Sequence, residues 1–185
     1  MRQVSAVLIH HPIYDRERTV VTGAITNLDL HDISRSAHTY GLAAYYIAHP
    51  IAAQRELAER IREHWLTGSG SRRIPDRVPP MRGLQIVATL DDALARSGPG
   101  TELWVTSAKG GEKCLDFAAA RARVEAAEGP PILITFGTGW GLADEIMRRA
   151  DWLLQPIRSP RPDGFNHLSV RAAAAITFDR LLGHR

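Results

Sequence analysis

The stretch TNLDLHDISR concentrates the side chains best able to do chemistry. Asn27, His31 and Arg35 stand at i, i+4 and i+8, so a helix would set them on one face. Asp29 and Asp32 lie beside them. A guanidinium is always charged and can grip phosphate oxygens in pairs. It is a poor base because its pKa is so high. A polar stripe is most often a solvated helix face, and that reading stays beside the chemical one.

Three segments near the C-terminal end offer backbone rather than side-chain chemistry. In ILITFGTGWGLADE an apolar run, Ile132 to Phe136, breaks at Gly137, Gly139 and Gly141 and then continues as a helical pattern. DWLLQPI is a short apolar strand stopped by Pro156. FNHLSVRAAAAITFDRLL opens a helix with Asn166, His167 and Ser169, types favoured at helix caps, and runs on through alanines that allow close approach of another backbone. Strand ends and a helix start are rich in exposed backbone donors and acceptors. Such a pocket suits the adenosine part of a nucleotide cofactor. The glycine spacing is G-x-G-x-G, not the dinucleotide G-x-G-x-x-G, and it lies far from the first strand. No lysine follows to make a phosphate loop. Taken alone, the glycines read as a turn needing positive φ.

Other candidates carry less. Residues 67–83, TGSGSRRIPDRVPPMRG, read as a long mobile loop whose Arg72, Arg73, Arg77 and Arg82 can meet phosphates or simply stay solvated. Cys114 is the single cysteine, so no internal disulfide forms, and it reads as a small, half-buried side chain at a loop-to-helix junction. The histidines have no metal-ligand spacing, so no metal site is expected. The net charge of +3 and pI near 9.4 permit nucleic-acid binding without requiring it.

The elements that must position these residues alternate. Strands are expected at Val4–His10, Tyr45–His49, Gln85–Ala88, Glu102–Thr106 and Ile132–Phe136. Helices are expected at Asn27–Tyr40, capped by Thr26 or Asn27 and stopped by Gly41, then at Ile51–Trp65, Asp91–Arg96 and Leu115–Ala127. Residues Pro12 to Thr26 read as a loop. The pattern predicts an α/β fold with a mostly parallel sheet, buried on both faces. With 185 residues and 44% hydrophobic content, one domain with a sizeable core is expected. No apolar run is long enough to span a bilayer. The N-terminal apolar run lacks the shape of a signal peptide, so a cytoplasmic location is expected.

Taken jointly, ITNLDLHDISR, YYIAHP, FGTGWGLADE and FNHLSVRAAAAITFDRLL resemble a bacterial branch of the SPOUT class of S-adenosylmethionine-dependent RNA methyltransferases. Many members end on a motif close to S-L-N-V-S-x-A-x-x-I. The resemblance covers nearly the whole chain. It implies a parallel α/β sheet with helices on both faces and a deep C-terminal trefoil knot formed by residues 130–185. It also implies a homodimer acting on RNA, tRNA or rRNA, with S-adenosylmethionine as methyl donor. Carried over by motif, Thr106 and Ser107 form one cofactor loop. Phe136, Gly137, Gly139 and Leu142 form a second. A third runs from Leu154 through Pro156 and Ile157 to His167, Leu168 and Ser169. Adenine is expected between Leu154, Ile157 and Leu168. Arg35 matches the substrate-facing arginine of the class, with Asn27, His31 and Asp32 around it. Relatives with a glutamate in the glycine loop differ here, where Thr138 and Trp140 stand. A chain that keeps the knot but only binds RNA is the alternative. An oxidoreductase fits neither the position nor the spacing of the glycines.

Overall fold

The computed structural model describes residues 1–108, 110 and 114–184. Its centre is the apolar run Val4–Ile9 (β1), buried at every position. Beside it lies Ile132–Gly137 (β8), buried up to Phe136. Strands buried on both faces need no alternation, and both runs are continuous for that reason. The remaining strands of the main sheet are Tyr45–Ala48 (β4), Leu84–Val87 (β5), Glu102–Thr106 (β6), Cys114–Leu115 (β7) and Trp152–Leu154 (β9). Their order is β5-β4-β1-β8-β6-β9-β7, and every pairing is parallel. The chain moves outward from β1 to β5, restarts at β6 on the far side, and returns to insert β8 between β1 and β6. Ligands of open α/β sheets bind beyond the carboxyl ends of strands at such a reversal.

One face of the sheet is covered by Asn27–Thr39 (α1), Ala52–Leu66 (α2), Val78–Gly83 (α4), Phe117–Glu125 (α6) and Val170–Leu182 (α8). The other carries Leu90–Ser97 (α5) and Asp144–Arg148 (α7). α8 packs across α1 and α6 and reaches the sheet through Phe178, whose ring meets Phe136 edge-on at 5.7 Å. Both rings are buried, and removing one such ring costs about 3–5 kcal/mol. The helix ends follow local chemistry. Thr26 Oγ1 accepts from Asp29 N at α1. Thr89 and Asp92 form a reciprocal box at α5. Gly41, at φ +72°, follows α1 as expected.

Three expectations fail. Residues 67–83 are not a loop: they fold as Ser69–Arg73 (α3), a 3-10 turn at Pro75–Arg77, and α4. The prolines sit at first-turn positions, where a missing N–H costs nothing. Met81 is fully buried. Pro12 to Thr26 contains a small antiparallel ribbon, Ile13–Tyr14 (β2) with Val20–Val21 (β3). The Asp15 carboxylate holds its turn by accepting from the amides of Glu17 and Thr19. Cys114 is exposed, and Cys114–Leu115 pairs with β9 as an edge strand, so α6 starts only after its cap, Asp116.

Candidate functional site

The carboxyl ends of β6, β8 and β9 stop at one level. Val105 pairs with Thr135, and Thr106 with Leu154. Thr106 Oγ1 donates to Thr135 O at 2.9 Å, tying the last residue of β6 to β8 two residues before β8 ends. Beyond this edge the glycine loop folds tightly back on itself. A Cβ on Gly137 would stand 2.7 Å from Leu142 Cγ, and one on Gly139 would stand 2.9 Å from Tyr14 O. Gly139 has φ +60° and Gly141 +110°, so the loop needs glycine there for its path as well as its space. The β2–β3 ribbon pins the loop. Trp140 N donates to Tyr14 O, Tyr14 N to Gly141 O, and Ala143 N to Pro12 O, at 2.8 to 3.1 Å.

The third arm starts at buried Pro156. Asn166 does not cap α8. Its Nδ2 donates to Ile157 O at 2.8 Å and closes the 157–166 loop. That bond sets His167 and Leu168 near Ile157. Ser169 is the cap, its hydroxyl oxygen accepting from Ala172 N at 3.2 Å. Among the described residues, the main-chain amides of Gly139, Leu142, Ile157, His167 and Leu168 have no protein acceptor. Leu142 and Leu154 are buried, and Leu168 is exposed. Free amide donors on loops that also carry apolar side chains fit an adenosine-bearing ligand read by backbone.

α1 divides the residues expected to act with Arg35. Asn27 and Arg35 are exposed. His31 is buried: Arg77 Nη1 donates to its Nδ1 at 3.0 Å, and its ring meets Trp65 edge-on at 5.1 Å. Burial, then the Arg77 charge, lowers its pKa below the usual value, so the ring is neutral at pH 7. Asp29 is buried and doubly engaged. It accepts from Thr26 Oγ1 at 2.6 Å and pairs with Arg171 Nη1 at 3.0 Å. Asp32 is partly exposed, 3.6 Å from Arg171 Nε. Arg35, Asp32, Ser36, Thr39 and Tyr40 line a groove whose far wall is Ala175 of α8. Among the described residues, no hydrogen bond or ion pair links Arg35 to the three strand-end loops. The polar stripe is thus split, with Arg35 and Asp32 on the groove and His31 walled in.

Two features escaped the sequence reading. Arg171 joins the third arm to α1, and its only signal was its place in the NHLSVR run. The other is a histidine pair at the ends of β1 and β4. His10 and His49 are fully buried with ring centroids 5.5 Å apart. His49 Nδ1 accepts from Ile51 N, so Nε2 carries the proton and donates to Gly23 O at 2.8 Å. Neither nitrogen of His10 makes a hydrogen bond of good geometry among the described residues, and only the Ala48 backbone weakly favours its charged form. Burial, then His49, pushes its pKa down to about 4.

Among the described residues there is no group of three or more histidine, cysteine or acidic side chains that could hold a metal. Among the described residues no helix is long and apolar enough to cross a membrane.

Comparison with known proteins converges on one group. The family profile of SAM-dependent RNA methyltransferases matches residues 3–183. A tRNA (guanine-N(1)-)-methyltransferase of Nitratidesulfovibrio vulgaris is 42% identical over 98% of this chain, but the chain spans only 42% of that relative. An uncharacterized protein of Aquifex aeolicus is 33% identical, with 96% of this chain matching 87% of it. The fold is similar to that of a SpoU methyltransferase from Streptomyces viridochromogenes solved with AdoMet, at TM-score 0.59 and 13% identity, covering 97% of this chain and 57% of that one. The sequence motifs, the parallel sheet and the profile agree, and the chain belongs to the family of S-adenosylmethionine-dependent RNA methyltransferases.

Proposed function

We propose that this chain transfers a methyl group to RNA from S-adenosylmethionine held over the carboxyl ends of β6, β8 and β9. The observation that carries this reading is the set of unpaired amides at Gly139, Leu142, Ile157, His167 and Leu168, all on the segments that follow β8 and β9. Thr106, Ser107, Phe136, Gly137 and Pro156 shape the same crevice, and Ser169 fixes its rim as a helix cap. The bound donor supplies an electrophilic methyl group on a sulfonium. The protein's work is then to position and to exclude water.

Arg35 orients the RNA, through a phosphate or the nucleophile itself, with Asn27 on the same exposed side. Asp32 is the proton acceptor best placed beside it, since Asp29 is spent on Thr26 and Arg171, and His31 lies behind Arg77. Arg35 stands on a groove between α1 and α8 and, among the described residues, has no hydrogen bond or ion pair to the cofactor loops of its own chain. A homodimer that brings this groove to a partner's loops would complete the site. We also infer a trefoil knot. In its support, Gln155 N donates to Leu115 O, Pro156 runs against Gly110, and the chain then crosses to lay α8 over α1 and α6.

The two longer relatives named as tRNA (guanine-N(1)-)-methyltransferases make tRNA the first substrate to test. Each is more than twice the length of this chain, so the guanine atom in their name is not carried over. The test is calorimetry with S-adenosylmethionine, followed by transfer of labelled methyl to total tRNA and to rRNA. Binding plus label in one pool is expected. Binding of donor and RNA without transfer would leave only an RNA-binding module. No donor binding would end the reading.

A further inference from the structure

The glycine loop carries one feature that donor binding leaves unused. Trp140 is 67% exposed, although it stands between Gly139 and Leu142 in the middle of the proposed cofactor loop. A flexible loop would turn such a ring inward. This one cannot move freely: its amide donates to Tyr14 O, Gly141 N donates to Thr138 O, and Gly139 is pressed against Tyr14 O. The scaffold holds the indole out. The ribbon that holds it also presents cations. Arg18 lies over the Tyr14 ring at 4.5 Å, and Arg16 is exposed beside it. The Arg18–Asp144 contact, 3.4 Å between side chains that are both largely exposed, is too weak to remove Arg18 from other anions.

We propose that Trp140 is a stacking platform for one unpaired nucleobase of the RNA substrate, with Arg16 and Arg18 meeting the adjoining phosphates. This rests on the RNA reading above. Single-strand binders combine these parts: an aromatic face that accepts any base and cations that follow the backbone. The platform sits on the loop that would hold the methyl donor, so a base stacked there fixes its neighbour near the reacting methyl. The role is one of positioning, because the indole takes no part in bond exchange.

The test compares wild type, W140A and W140F in the full chain. Affinity for total tRNA and for oligouridylate, kcat and KM for methyl transfer, donor affinity and sedimentation are measured. W140A is expected to weaken RNA binding by roughly 5- to 150-fold, the range for losing one base–aromatic stack. The loss should fall mainly on KM, donor affinity should hold, and W140F should recover most of it. Unchanged RNA affinity in W140A overturns the platform while leaving the methyltransferase reading intact. Dissociation of a wild-type dimer by W140A also overturns it, because the ring then belongs to a contact between copies. A wild type that binds donor but no RNA overturns both.

Discussion

Replacing Arg171 by methionine tests the junction between the cofactor arm and α1. Arg171 stands two residues beyond the Ser169 cap and pairs with Asp29, whose side chain is 5% exposed, while its own is 30% exposed. R171M keeps the aliphatic stem and strands a buried carboxylate with only Thr26 as donor. Breaking a fully buried pair in this way costs about 3–5 kcal/mol. Partial exposure of the guanidinium screens the interaction, and about 2–3 kcal/mol remains. For a chain of this length, that lowers Tm by roughly 4–12 °C. Differential scanning calorimetry of R171M, D29N and the double variant gives the coupling. The double variant removes both charges, so it should be less damaged than the sum of the singles, by about 1–3 kcal/mol. Donor affinity should fall in R171M, because Arg171 anchors the start of α8 just beyond His167 and Leu168. Additive losses, or a Tm like that of wild type, would refute the claim that this pair welds the two parts.

Other outcomes follow from single residues. Arg35→Ala should lower methyl transfer by about 100-fold or more while leaving donor affinity intact, as expected for lost positioning; loss of donor binding instead would place Arg35 in the cofactor site. Gly139→Ala forces a Cβ to 2.9 Å from Tyr14 O at φ +60°, and left-handed backbone alone costs about 1–2 kcal/mol. Thermal melts should show that destabilisation, and donor affinity should drop with it. His10 has its pKa pushed from 6.5 to about 4, so its contribution is complete above pH 6.5 and is lost as pH falls toward 4. Linkage makes that loss at most about 3 kcal/mol. The neighbouring His49 and Asp29 act on the same ring. His10→Leu should flatten this part of the stability-against-pH curve in urea titrations, and an unchanged curve would show that His10 does not titrate there.

The sheet was legible wherever burial on both faces wrote a continuous apolar run. VSAVLI, ELWVT and ILITF are such runs, and all three are strands at or within one residue of the expected limits. Caps were legible too, because Thr26, Gly41 and Ser169 act through atoms a few residues away. Features set by distant partners were not. Residues 67–83 have the composition of a loop, and only packing of Met81 and Pro80 under α1 and α2 reveals α3 and α4. His31 looked solvent-facing by helical spacing, but Trp65 and Arg77 bury it. β2 and β3 are two residues each, too short for any periodicity to show. Of the expected site, the strand ends of β6, β8 and β9 lie side by side, and on α1 His31 is buried behind Arg77 and Trp65 while Arg35 is exposed on the groove.

A crystal structure grown with S-adenosylmethionine or S-adenosylhomocysteine tests the central claim most directly. The account predicts adenosine beyond β6, β8 and β9, with the amides of Leu142, Ile157 and Leu168 among its donors. Ligand density elsewhere on the molecule, with those amides unengaged, would contradict it.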